Sequence, residues 1–182
     1  ETYRFKPWKI KVTKPEGKNE KVLEMINEKK IMEQIHEGIA IGDIRPRLLE
    51  IWKQYPDTVY SPYILFAVAG GLSTSQEKEE LKEAVKYYNE YLDRYKGSIY
   101  EDDAVYKIGY CFDKMGETGE AQKWFIRLYN NYPESNRLNN HDPVIKKYVY
   151  SQINTANPPG KWMLFEGPPE PDPDTPEIQM PR

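Results

Sequence analysis

Two histidines, a single cysteine and one run of three carboxylates are the residues of this chain whose types could carry chemistry. A zinc site needs three or four ligands at workable spacing. His36 and His141 stand far apart in the sequence, with no ligand cluster around either. Glu101-Asp102-Asp103 has the composition of a general acid–base pair. The run falls where a helix should begin, and the positive end of a helix dipole attracts carboxylates without any catalytic role. Cys111 lies between Tyr110 and Phe112, a setting for a buried thiol rather than a reactive one. No glycine-rich phosphate loop, nucleophile elbow or paired acid and base is present in the sequence. These readings predict no catalytic residue, no metal and no cofactor, and a chain that is not an enzyme.

Composition narrows the classes further. The formal net charge is −3, which argues against nucleic acid as a partner. Aliphatic, aromatic and Cys residues make up 38% and charged residues 30%, a mix suited to an elongated protein with much surface per residue. No run of about 18 apolar residues occurs, so no membrane-spanning helix is expected. The lone cysteine allows no internal disulfide. Tyrosine is the outlier: of 15, all but Tyr3 fall between Tyr55 and Tyr150.

The elements that position these residues divide the chain into three parts. Residues 1–18 form a basic, aromatic arm, Tyr3-Arg4-Phe5-Lys6-Pro7-Trp8-Lys9-Ile10-Lys11-Val12, whose partial alternation predicts an extended strand. Residues 19–156 read as helices near 20–37, 44–55, 61–72, 77–95, 101–115, 118–132 and 142–153. Asn19, Asp43, Ser61-Pro62 and Asp142-Pro143 supply starts, and Thr74-Ser75-Gln76-Glu77 offers a capping box. Gly97 and Gly116 supply stops, and Gly70-Gly71 reads as a helix end that lets helices approach or finish. Residues 157–182 hold eight of the 15 prolines and five acidic residues, a composition that excludes helix. One apolar island interrupts this tail, Trp162-Met163-Leu164-Phe165.

An internal repeat organises the helical part. Tyr55-Pro-Asp-Thr-Val-Tyr60 aligns with Tyr95-Lys-Gly-Ser-Ile-Tyr100, forty residues on, and the match runs on through Leu65 with Val105, Val68 with Ile108, Ala69 with Gly109 and Leu72 with Phe112. A second match, offset by thirty-seven, lays Ala84 to Tyr91 over Ala121 to Leu128 and Tyr95 over Tyr132. The positions Val105, Ile108, Gly109, Phe112, Gly116, Ala121, Phe125 and Pro133 resemble the tetratricopeptide repeat, a 34-residue helix–turn–helix. Gly109 and Ala121 are small so that two helices can cross closely, with Phe112 and Phe125 filling the space beside them. The resemblance implies an all-α, tetratricopeptide-like helical solenoid of about three repeats plus a capping helix, with extended arms at both ends. The junctions Tyr55-Pro56-Asp57-Thr58 and Tyr132-Pro133-Glu134-Ser135 are similar to those of bacterial cell-envelope repeat proteins, including the outer-membrane assembly lipoproteins. That likeness implies a periplasmic or other extracytoplasmic location.

In the family, the first helix of each pair lines a concave groove. Transferred by register, the groove positions are Tyr63, Phe66 and Gly70, then Asp103, Tyr106, Tyr110 and Asp113. Tyrosine supplies apolar area with a polar tip, which suits recognition of protein. The island offers Trp162 and Phe165 as further anchors, either on this solenoid or on a partner. The function this predicts is a non-enzymatic scaffold that holds subunits of a larger assembly, with self-association through the oppositely charged arms as one route. The alternative is an adaptor that captures a short peptide in the groove.

Overall fold

The computed structural model describes residues 14–139 and 141–150; the basic arm before Lys14 and the tail with Trp162 and Phe165 lie outside the described residues. Within that span the chain is all-helical, in the order α1 (Lys18–Ile26), α2 (Lys29–Glu37), α3 (Ile44–Gln54), α4 (Ser61–Ser73), α5 (Lys78–Arg94), α6 (Glu101–Lys114), α7 (Thr118–Asn131) and α8 (Pro143–Ile145). A π-helical turn, Lys146–Tyr150, continues α8. Among the described residues there is no strand.

The helices stack as pairs. Consecutive elements from α3 to α7 pack each on the next, while α2 and α6 both lean on α4, and the π turn closes over α7. First helices therefore touch first helices across repeats, which is the arrangement of a solenoid. One apolar core runs continuously from Val22 to Val149. Tyr88, Tyr91 and Phe125 are its largest fully buried side chains, and removal of the Phe125 ring from water is worth about 1.5–3 kcal/mol.

Small residues set the closest approaches. A Cβ built on Gly109 would lie 2.9 Å from the Phe125 ring, and Ala121 is fully buried, as expected for the α6–α7 crossing. Gly70 and Gly71 lie in the last turn of α4 rather than beyond its end, and of the two expected uses, close approach and stop, they serve the approach. A Cβ on Gly70 would stand 1.8 Å from the Gly38 carbonyl oxygen, and one on Gly71 1.7 Å from that of Ala40. The loop after α2 thus lies directly on the α4 backbone. Ala40 N–H donates to the Ala67 carbonyl at 2.7 Å, and the buried Gln34 side chain accepts from Ile41 N–H at 2.9 Å.

Several expected boundaries change. The single first helix is two, broken at Asn27-Glu28 where Glu28 is extended. Arg47 holds the break open: its guanidinium donates to the Met25 carbonyl at 2.9 Å and to Glu28 at 2.8 Å. Asn19 does not cap a helix; it sits in the first turn of α1 and accepts from Val59 N–H at 3.0 Å. Asp43 precedes α3 without a capping hydrogen bond. The expected capping box before α5 is replaced by Ser75 Oγ accepting from Glu77 N–H at 3.0 Å. Ser61 turns back to donate to the Tyr55 carbonyl at 2.7 Å. Asp142 does cap, accepting from Val144 N–H at 2.8 Å and from Ile145 N–H.

Candidate protein-binding face

Helical spacing puts Tyr63 and Phe66 on one face of α4, and Asp103, Tyr106, Tyr110 and Asp113 on the matching face of α6. Tyr63 is the most open of the six, at 38% exposure. Phe66 is not open: it is 7% exposed and belongs to the core. Its ring stacks on Tyr100 with centroids 4.9 Å apart and meets Tyr88 and Tyr91 edge-on at 5.5 Å. Gly38 closes over it, since a Cβ there would lie 2.9 Å from the Phe66 ring.

The α6 positions are engaged by residues 137–148 of the same chain. Asp103 pairs with Arg137, whose guanidinium also lies over the Tyr106 ring, 5.5 Å from its centroid. Tyr106 donates its hydroxyl to Asp142 at 2.8 Å and packs edge-on against Phe125 at 5.7 Å. Burial and the Asp142 carboxylate both raise the Tyr106 pKa, so the phenol stays a donor. Asp113 accepts from Lys147 at 2.7 Å and from Tyr148 at 2.5 Å. Burial pushes the Asp113 carboxyl up, but these hydrogen bonds outweigh it and hold the group below its ordinary value. Tyr110 keeps a partly open ring, stacked on Tyr106 at 6.4 Å with the Lys114 ammonium 5.8 Å from its centroid.

One construction therefore recurs with different chemistry. Tyr63 and Phe66 grip Tyr100 through an edge contact at 5.9 Å and a stack at 4.9 Å. Forty residues on, Asp103 and Tyr106 grip Arg137 through an ion pair and a cation over a ring. Tyr100 and Arg137 each stand five residues after a junction tyrosine, Tyr95 and Tyr132. The same slot thus holds an aromatic side chain in one repeat and a cation in the next. The positions transferred to the groove act largely as clamps between repeats.

The sequence reading missed Arg137, Asp142, Lys147 and Tyr148 as the partners of this face. The offset of thirty-seven, carried from Tyr100 to Arg137, was the available signal. It also missed Lys107, which stands on α6 without a hydrogen bond or ion pair among the described residues; burial first, then the Arg137 charge, lowers its pKa. Lys114 reaches the carbonyls of Ser73, Thr74 and Ser75, at 3.3, 3.2 and 2.5 Å, where α4 ends.

The remaining chemical candidates are placed as follows. Cys111 is fully buried, and burial pushes its thiol up to about 11, which leaves it protonated at neutral pH. Glu101 accepts from Gly97 N–H at 2.5 Å and from Tyr132 at 3.2 Å, while Asp102 accepts from Ser135 at 2.6 Å. His36 and His141 are both exposed. Among the described residues no group of three or more His, Cys, Asp or Glu is placed to hold a metal ion. No helix among them is long and apolar enough to cross a membrane.

Residues 103–135 match the family model described as Tetratricopeptide repeat. The match takes in α6 from Asp103, all of α7 and the Tyr132-Pro-Glu-Ser135 junction. Such repeats generally mediate protein–protein interaction. No curated protein and no solved structure matches the chain.

Proposed function

We propose that this chain is a non-enzymatic scaffold that binds protein and organises subunits of a larger assembly outside the cytoplasm. The observation that carries the reading is the repeat itself: stacked helix pairs with a tetratricopeptide match over residues 103–135. The extracytoplasmic part rests on the Tyr-Pro-acid-Ser/Thr junctions and their likeness to cell-envelope repeat proteins.

The scaffold is favoured over peptide capture by what occupies the groove positions. Phe66 is buried, and Asp103, Tyr106 and Asp113 are engaged by Arg137, Asp142, Lys147 and Tyr148. A captured peptide would have to displace these contacts or content itself with Tyr63 and Tyr110. The larger share of partner affinity is therefore assigned to the tail anchors Trp162 and Phe165, because buried aromatic anchors dominate interfaces while rim charges mainly steer. Self-association through the arms is the variant of this reading in which the partner is a second copy.

The test is mild cross-linking of the native protein followed by purification and identification of stoichiometric partners. A protein partner recovered with the full chain and lost when residues 157–182 are removed supports the reading. A partner retained by the truncated chain and lost on Tyr63→Ala with Tyr110→Ala would establish groove capture instead.

A further inference from the structure

Val59 and Ile99 are the two most exposed large apolar residues among those described, at 61% and 71%. Singly, such residues are ordinary on a protein surface. These two stand at the same point of successive repeat junctions, forty residues apart. The third junction has Asn136 at that point, also exposed, so the fold itself does not require an apolar side chain there. Tyr63, 38% exposed and four residues after Val59, meets the ring of Tyr100, the neighbour of Ile99, at 5.9 Å. The result is an apolar edge along the N-terminal ends of α4 and α6.

The start of α1 lies on the same edge, because Asn19 accepts from Val59 N–H at 3.0 Å. The basic arm enters α1 there, through Lys14 and Gly17. Residues 3–12 carry Trp8, Ile10 and Val12 at a spacing of two, with Lys9 and Lys11 between them. In an extended chain that spacing aims one apolar face every ~6.7 Å, and ten residues reach about 33 Å. Neighbouring helices lie about 8–10 Å apart, so the arm is long enough to pass from Val59 to Ile99. Charge agrees: residues 3–12 hold Arg4, Lys6, Lys9 and Lys11 and no acid. Asp57 beside Val59 and Asp102 beside Tyr100 have no cationic partner among the described residues.

We propose that residues 3–12 dock in extended form on the edge formed by Val59, Tyr63, Tyr100 and Ile99 of the same molecule, with Asp57 and Asp102 receiving lysines at the rim. The arm is then part of the folded unit, and any partner using this edge must first displace it.

Trypsin cleavage of the full chain after Lys9 and Lys11, followed by mass spectrometry, tests this. A synthetic peptide of residues 1–13 serves as the unprotected reference. The expected result is cleavage about tenfold slower in the full chain than in the peptide, because cleavage tracks the open population. Val59→Asn with Ile99→Asn should abolish that protection at unchanged melting temperature. Trp8→Ser with Ile10→Ser should abolish it as well. Cleavage in the full chain as fast as in the peptide overturns the proposal, as does protection that survives both double substitutions. Protection that disappears on dilution places the arm on a second copy and also overturns it.

Discussion

At the scale of single residues, the contacts decide signs that composition leaves open. Gly70 and Gly119 are both helical glycines, and helix propensity alone favours alanine at each by up to about 1 kcal/mol. At Gly119 a Cβ would meet nothing within 4 Å, so Gly119→Ala should be neutral or stabilising. At Gly70 a Cβ would collide with the Gly38 carbonyl, so Gly70→Ala should destabilise by about 1–3 kcal/mol. Thermal melting of the two variants checks the opposite signs. Asp113 gives a pH prediction. Its folded pKa lies below the ordinary 3.8, so the stability it contributes is present above that value and is lost as pH falls through the folded pKa. The melting temperature should therefore drop more steeply below about pH 4 in the wild type than in Asp113→Asn. Parallel pH profiles would contradict the assignment. The close approach at Gly70-Gly71 was legible but not what approaches, and the Asp113 contact was not legible. Gly70-Gly71 looks like a helix terminus until the loop from α2 is laid across it, and Asp113 meets Lys147 only after two turns of chain reversal.

At the scale of elements, what could be read in advance was what the repeat wrote twice. The bounds of α4 through α7 follow from the aligned junctions and from Gly97 and Gly116, both at positive φ just after a helix. The break between α1 and α2 was not legible, because no Gly or Pro marks Asn27-Glu28 and the clamp on it is Arg47, far along the chain. The clamps between repeats were half legible: the register named Tyr63, Phe66, Asp103 and Tyr106 but gave them to a partner. If Tyr63/Tyr100 and Asp103/Arg137 are alternative fillings of one slot, the two can be exchanged. Asp103→Tyr alone and Arg137→Tyr alone should each destabilise: the first takes the carboxylate partner from Arg137, and the second leaves the Asp103 carboxylate against the negative face of a ring. Together they should recover part of the loss, with a coupling of about 0.5–3 kcal/mol in a double-mutant cycle. Strict additivity would show that the two clamps are unrelated.

At the scale of the whole molecule, the chain is a short solenoid flanked by segments of opposite charge. Among the described residues one core runs from Val22 to Val149, and the stability of the helical body is assigned to it. Removing residues 157–182 should leave the melting temperature within a few degrees and the helical circular-dichroism signal intact, while lowering partner affinity. The central claim is that partner affinity resides in the tail anchors and not in the groove positions that the chain itself occupies. The most direct measurement is the affinity of the co-purified partner for Trp162→Ala with Phe165→Ala, with the melting temperature recorded on the same samples. The account predicts a loss of about thirtyfold or more at unchanged melting, the effect of removing an aromatic hot spot. Unchanged affinity with a lowered melting temperature would contradict it, and would mean that the island caps its own solenoid.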